Sequence, residues 1–279
     1  MGQIIKTKKD RSFYIHDTPG EKGTIIAVHG LTGNHEQFMH CQEAFAGEYR
    51  FISYDILGRG NSGPALSDTS IYTHSEDLAD IIEILNINEP ILMGYSMGAY
   101  ICALAAATNE KIKPKALILL DGAGEADDLA RSLVLPSLNR MKKTYPSKDS
   151  YTAEMKELYS RLNVEWNDKL LDLISYELEE FNGSWVHKSD AALLEQDFES
   201  FYDFQHSLLK SIACPVFLLI ATGKLGENRS LFTEQSYEFT REFVLSLHTE
   251  LTLQNHYEIV LNQQPQVTAQ IKDFLSNGG

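Results

Sequence analysis

The pentapeptide Gly94-x-Ser96-x-Gly98 constrains the fold of this chain more than any other stretch. An apolar run, residues 90–93, precedes it, and an alanine-rich segment with helical character follows at once. This setting is typical of a nucleophile elbow, in which a serine stands on a sharp turn between a strand and a helix. Glycine is needed at the flanks because strand and helix approach each other closely there. We therefore predict that Ser96 is a nucleophile at the start of a helix, where developing negative charge is favoured.

Apolar and β-branched runs alternate with amphipathic segments around this turn, which predicts a parallel sheet with right-handed crossovers. An edge hairpin precedes the alternating part, and a C-terminal helix over residues 265–275 ends the chain. Other helices are expected from Asn34, over residues 70–85, after Ser96 and over residues 231–240. The predicted strands are residues 3–7, 12–16, 23–30, 49–54, 90–94, 114–121, 214–221 and 248–253.

The alternation stops at about residue 125 and resumes after residue 206. Only helical periodicity is visible between these points, and the segment is rich in aromatic residues, including Trp166 and Trp185. We predict a helical cap over residues 125–206, with an apolar lining, on an α/β core of residues 1–124 and 207–279. Its expected helices are residues 129–141, 150–162, 168–181 and 191–205.

Composition narrows the class of partner. The formal net charge of −15 argues against binding nucleic acid or an anionic membrane surface through charge. No apolar run is long enough to cross a bilayer, and the first residues lack the apolar core of a secretory signal. Cys41, Cys102 and Cys214 are widely separated and show no metal-binding spacing. We expect a cytoplasmic protein with no metal and no organic cofactor, and composition leaves its oligomeric state open.

A serine hydroxyl becomes a good nucleophile only when a base, usually histidine, removes its proton. His256 suits this role because it follows the last predicted strand and precedes the last helix. The other eight histidines lie on predicted strands or helices, or in the cap.

Four motifs in sensible order resemble those of the α/β-hydrolase superfamily, over essentially the whole chain. They are His29-Gly30-Leu31, the loop of residues 55–62, the elbow at Ser96, and His256. The resemblance implies a mostly parallel, eight-stranded sheet flanked by helices, with a cap insertion.

The same resemblance implies roles for individual residues. Ser96 would be the nucleophile and His256 the base, with the backbone N–H groups of Leu31 and Met97 as the oxyanion hole. The loop of residues 55–62 would shape the site without taking part in the chemistry. Candidate residues of the substrate pocket are His29, Tyr95, Trp166 and Trp185, although a structural role is the better interpretation for His29.

The acid that supports the histidine is the point on which this chain departs from the commonest family pattern. Family members usually carry aspartate in a Gly-x-x-Asp turn after the penultimate strand, whereas this chain has Gly223-Lys224-Leu225-Gly226-Glu227 there. The other position used in the superfamily is the end of the strand after the elbow helix, here Asp121. We favour Asp121 and keep Glu227 as the alternative.

The resemblance also narrows the chemistry. A serine nucleophile disfavours the epoxide hydrolase and haloalkane dehalogenase branches, which use aspartate at this position. We expect acyl transfer to water from a small, mainly apolar carboxylic ester or lactone. The alternatives are a carbon–carbon bond hydrolase or a lyase of menaquinone biosynthesis with the same triad, or a receptor or regulator that keeps the fold without catalysis.

Overall fold

A computed structural model describes residues 2–278 of the chain. The strands are β1 (Gly2–Lys6), β2 (Ser12–Thr18), β3 (Thr24–Val28), β4 (Arg50–Tyr54), β5 (Ile91–Tyr95), β6 (Ala116–Leu120), β7 (Thr144–Tyr145), β8 (Leu178–Phe181), β9 (Ser184–His187), β10 (Val216–Ala221) and β11 (Leu247–Thr252). Eight of them form one sheet in the order β1-β2-β4-β3-β5-β6-β10-β11. Only β1–β2 and β2–β4 pair antiparallel in this sheet. The prediction of a mostly parallel, eight-stranded sheet is confirmed.

Helices cover both faces of the sheet. They are α1 (Met39–Phe45), α2 (Ile71–Ile84), α3 (Met97–Thr108), α4 (Asp128–Met141), α5 (Lys148–Arg161), α6 (Asp168–Tyr176), α7 (Ala191–Glu199), α8 (Glu238–Phe243), α9 (Glu258–Leu261) and α10 (Pro265–Ser276). Short 3-10 helices lie at His35–Phe38, His206–Ser211 and Glu234–Tyr237. Among residues 2–278, no helix combines the length and apolar character that crossing a bilayer requires.

The apolar runs become strands because the sheet is buried on both faces. Along β3, Ile26 and Val28 belong to one hydrophobic cluster, whereas Ile25 and Ala27 belong to the other. Successive side chains of a strand point to opposite faces, so a strand of this kind must be apolar throughout.

The region between β6 and β10 is less helical than the sequence suggests. Besides α4–α7 it holds a three-stranded sheet in the order β7-β9-β8. The helix expected over residues 168–181 ends at Tyr176, and β8 then pairs with β9 through a tight turn. Asn182 and Gly183 both have positive φ, as the favoured two-residue hairpin turn requires. The prediction of a purely helical cap was therefore wrong in this part, and the division of the chain into core and cap stays a prediction.

A buried ionic cluster joins α7 to the elements beneath it. Asp197 lies 2.6 Å from Nη2 of Arg59, and it accepts hydrogen bonds from Thr69 Oγ1 at 2.7 Å and His74 Nε2 at 3.1 Å. Burial raises the pKa of Asp197, but the Arg59 charge and the His74 hydrogen bond outweigh it and hold the pKa below its usual range. Asp197 is therefore a charged anchor that connects α7 to α2 and to the loop of residues 55–62.

Replacing Asp197 by asparagine should destabilise the fold strongly, because Arg59 would then be buried without a counter-charge and His74 would keep only Asp77, at 3.6 Å. Losses on breaking a buried pair are about 3–5 kcal/mol. Urea unfolding followed by circular dichroism measures the loss. Glu157→Gln is the control, because it removes an exposed pair with Arg161 and should leave stability nearly unchanged. Small losses of stability that are similar in Asp197→Asn and Glu157→Gln would contradict the role of Asp197 as an anchor.

A second buried carboxylate ties α6 to the core. Asp55 accepts hydrogen bonds from the backbone and Nδ1 of His35, at 2.8 and 2.9 Å, and from the hydroxyl of Tyr176 in α6. Burial lowers the pKa of His35, but hydrogen bonds to Asp55 and Glu36 outweigh burial and raise the pKa to about 9. The folded protein therefore holds a proton on His35 more tightly than the unfolded chain does.

This raised pKa predicts a pH-dependent stability. The contribution of His35 is fully present below the unfolded pKa of 6.5 and is lost as pH rises through about 9. The stability difference between wild type and His35→Gln should therefore shrink over this range. Urea unfolding at each end of the range tests it, and a difference that stays constant would contradict it.

Candidate active site

Ser96 lies on a strained turn between β5 and α3. Its backbone angles are φ 52° and ψ −118°, and its side chain is partly exposed. A Cβ atom at Gly98 would lie 1.8 Å from the carbonyl oxygen of Val28, and one at Gly94 would lie 2.3 Å from that of Gly98. Both glycines are required because β3, β5 and α3 meet there, and the turn presents Ser96 at the carboxyl edge of the sheet.

Asp121 and His256 meet at the same edge. Nδ1 of His256 lies 2.7 Å from Oδ2 of Asp121, which is fully buried at the end of β6. The other carboxylate oxygen, Oδ1, accepts hydrogen bonds from the Tyr237 hydroxyl at 2.9 Å and the Ala221 amide at 3.2 Å. Burial and the charge of Asp121 raise the pKa of Tyr237, so its hydroxyl remains a donor. The arrangement holds the carboxylate against the histidine ring.

Glu227, the alternative acid, lies elsewhere. It is exposed in the loop after β10, and within residues 2–278 it makes no hydrogen bond or ion pair. Of the two candidate acids, the structure brings only Asp121 to His256, and the catalytic role of Asp121 stays a prediction.

Tyr95 contacts His256 through a hydrogen bond and through its ring. It is buried, its hydroxyl donates to the backbone carbonyl of His256 at 2.9 Å, and the two ring centroids are 4.8 Å apart. This residue was expected in the substrate pocket, but its contacts position the loop that carries the histidine. Sequence reasoning missed this role and that of Tyr237, because no local spacing indicates hydrogen bonds between such distant residues.

The predicted oxyanion hole flanks Ser96. A Cβ atom at Gly30 would lie 3.3 Å from Cβ of Ser96, so the following residue, Leu31, is beside the serine. Met97 is the first residue of α3. Within the described residues, the Leu31 N–H donates no hydrogen bond. Two backbone N–H groups next to a serine can stabilise an oxyanion.

Arg59 was not expected near the site, yet it contacts both residues of the predicted oxyanion hole. Its Nε donates to the Leu31 carbonyl at 3.3 Å, and Nη2 lies 4.0 Å from Sδ of Met97. The ionic cluster of Asp197 therefore reaches the loop beside Ser96.

His29 does not line a pocket, and its expected place there was wrong. Its side chain is fully buried, Nδ1 lies 2.7 Å from the Gly30 carbonyl, and Nε2 accepts the Ile56 amide at 3.1 Å. Burial lowers the pKa of His29 to about 3, so the ring is neutral. The residue connects two loops, as its structural interpretation requires.

The two tryptophans remain apart from these groups. Lys156 lies over the Trp166 ring at 5.5 Å, and Lys148 lies over the Trp185 ring at 4.4 Å. No contact described in residues 2–278 joins either tryptophan to Ser96 or His256. Their predicted place in the substrate pocket stays a prediction.

Comparison with known proteins agrees with this fold. A sequence model of the family described as "alpha/beta hydrolase fold" matches residues 23–157. The AB hydrolase superfamily protein YisY of Bacillus subtilis (strain 168) is 32% identical over 127 residues, which is 45% of this chain and 47% of that protein. A probable esterase of Oryza sativa subsp. japonica is 28% identical over 104 residues, 36% of this chain and 38% of that protein. The chain thus spans less than half of the length of these relatives.

Solved structures match over nearly the whole chain. E-2-(acetamidomethylene)succinate hydrolase has a TM-score of 0.84 at 14% identity, with 99% of each chain covered. An esterase from Exiguobacterium antarcticum has a TM-score of 0.74 at 16% identity, covering 99% of this chain and 100% of that one. At such identities the likeness concerns the fold. Together with the match of the family model to residues 23–157, it shows that the chain has the α/β-hydrolase fold.

The geometry predicts that Asp121, and not Glu227, controls the reactivity of Ser96. Asp121→Asn should slow phosphonylation of Ser96 by a fluorophosphonate at least about 100-fold, because the histidine loses its orienting charge. Glu227→Gln should leave the rate unchanged. Mass spectrometry of the labelled protein over time gives the rate constants, and the reverse ranking would identify Glu227 as the acid.

Proposed function

We propose that this protein is a serine hydrolase that cleaves small carboxylic esters or lactones through an acyl-enzyme on Ser96. The observation that carries the proposal is the 2.7 Å contact between His256 and Asp121 at the sheet edge that also presents Ser96. A buried carboxylate behind a histidine is the arrangement that lets the histidine activate a serine hydroxyl within its reach.

The proposed reaction has two halves. His256, oriented by Asp121 at Nδ1, accepts the Ser96 proton at Nε2 while Ser96 Oγ attacks the ester carbonyl. The N–H groups of Leu31 and Met97 stabilise the tetrahedral oxyanion, and each such donor contributes about 3–4 kcal/mol. His256 then protonates the leaving alcohol, and a water activated by the same histidine releases the acid.

The names of similar proteins support a hydrolase without naming a substrate for this chain. They include a probable esterase and a putative carbamate hydrolase among the curated proteins, and an esterase and a thioesterase domain among the structures. Esters, carbamates and thioesters share an acyl carbon attached to oxygen, nitrogen or sulfur. An ester or lactone is the simplest member of this group.

Ser96→Ala should abolish multiple turnover of p-nitrophenyl esters from acetate to octanoate, with kcat reduced about 10⁴-fold or more. Release of p-nitrophenolate, followed by absorbance, measures it. The control is Ser160→Ala, which removes the hydroxyl of an exposed serine on α5 and should leave kcat unchanged.

The same assay separates the proposal from its rivals. A single burst of one equivalent per chain would indicate a receptor that keeps the triad without turnover. Failure of folded wild-type protein to hydrolyse any ester would contradict esterase activity and favour carbon–carbon bond cleavage.

A further inference from the structure

Arg140 differs from the other internal cations of the chain. It lies in the last turn of α4, its Nε is buried without a hydrogen bond, and the residue as a whole is only partly exposed. Within residues 2–278 its guanidinium group forms no hydrogen bond or ion pair with any side chain. The buried Arg59, by contrast, is paired with Asp197. Because burial of an unpaired cation is unfavourable, such a group is best explained by an anion that joins it.

The surroundings of Arg140 connect it to the loop that carries His256. Burial lowers the pKa of Arg140, but neighbouring groups that include Tyr151, Tyr159 and Tyr257 outweigh burial and raise it, so these three tyrosines lie near the guanidinium group. Tyr257 follows His256, and the two rings meet edge to face at 5.6 Å. Tyr151 and Tyr159 belong to the hydrophobic cluster of Tyr95, against which Tyr257 packs. Arg140 is thus connected through Tyr257 to the loop that carries His256.

A second donor without an acceptor lies in the same region. Nδ1 of His187 accepts the Ser189 amide at 3.1 Å, so Nε2 carries the proton of the neutral ring. This Nε2 is buried and makes no hydrogen bond, although Oε2 of Glu177 lies 3.7 Å away.

Glu177 does not form an ion pair with Arg140. The carboxylate accepts the hydroxyl of Tyr151 at Oε2, and it interacts with Arg140 only over a distance longer than an ion pair. It balances part of the positive charge without forming an ion pair with the guanidinium group. Two parallel N–H groups in a fixed plane are suited to a carboxylate.

We propose that Arg140, assisted by His187 Nε2–H, binds a carboxylate of the substrate, so that the ester cleaved at Ser96 is a half-ester of a small dicarboxylic acid. The proposal rests on the proposed function and adds the chemical class of the acyl group. The net charge of −15 does not oppose it, because surface charges are screened over about 8 Å at physiological salt, whereas a buried contact is not.

The test compares two esters of one shape: p-nitrophenyl hemisuccinate, which is an anion, and its neutral methyl ester. Wild type should prefer the hemisuccinate. Arg140→Met should lower kcat/KM for the hemisuccinate about 10- to 100-fold and that for the methyl ester less than about 3-fold, since one charge-assisted contact is lost. Arg140→Lys should retain part of the preference. Arg161→Met, an exposed arginine of α5, is the matched control and should change neither value.

Equal losses on both esters would show a structural role for Arg140 and overturn the subsite. Unchanged kinetics for both esters in Arg140→Met would overturn it as well, while leaving the esterase proposal intact.

A binding experiment separates the two proposals. Glutarate should bind Ser96→Ala in calorimetry, and the additional change Arg140→Met should weaken its binding about 10-fold or more. If no ester is hydrolysed and glutarate binding still depends on Arg140, the subsite stands and the proposed function fails. Glutarate binding that is indifferent to Arg140 would overturn the subsite.

Discussion

The close approach of β3, β5 and α3 is the constraint on which the rest of the site depends. Gly98 allows α3 to touch the carbonyl of Val28, and Gly30 allows the next loop to lie against Ser96. Ser96, Leu31 and Asp121 then share one edge of the sheet, because parallel strands bring their carboxyl ends together. A reaction that needs several groups within a few ångströms depends first on this backbone packing. Polar contacts between side chains are not required to bring the groups to the same edge.

Features governed by local requirements could be predicted from the sequence. The elbow needs glycines at fixed offsets, and the central strands need continuous apolar runs, so both could be located within a few residues. The hairpin of β8 and β9 was not predicted, because β8 is mostly exposed and its polar residues continue the helical pattern of α6. The turn signal, Asn182-Gly183, is present in the sequence, and both residues have positive φ in the structure.

Features governed by distant contacts could not be predicted. Asp121 and Glu227 follow neighbouring strands, β6 and β10, so the order of the strands alone does not decide which of them reaches His256. The choice depends on where Tyr237 and the loop after β11 pack, which no local pattern specifies. That Arg140 has no ion-pair partner could not be predicted either, because it depends on the absence of an acidic side chain within ion-pair distance in the described structure. The negative net charge of the chain reflects mainly its surface, and it does not indicate whether one internal guanidinium group has a counter-charge.

The left-handed backbone at Ser96, Asp121 and Ala123 has a consequence for how this protein tolerates change. All three have φ between 46° and 61°, a conformation that costs roughly 1–3 kcal/mol for residues other than glycine. Selection for thermal stability alone would therefore drive these positions towards glycine. At Ala123 that exchange removes only a methyl group, whereas at Ser96 and Asp121 it removes a hydroxyl and a carboxylate. Relief of backbone strain and the proposed chemistry thus oppose each other at these two positions.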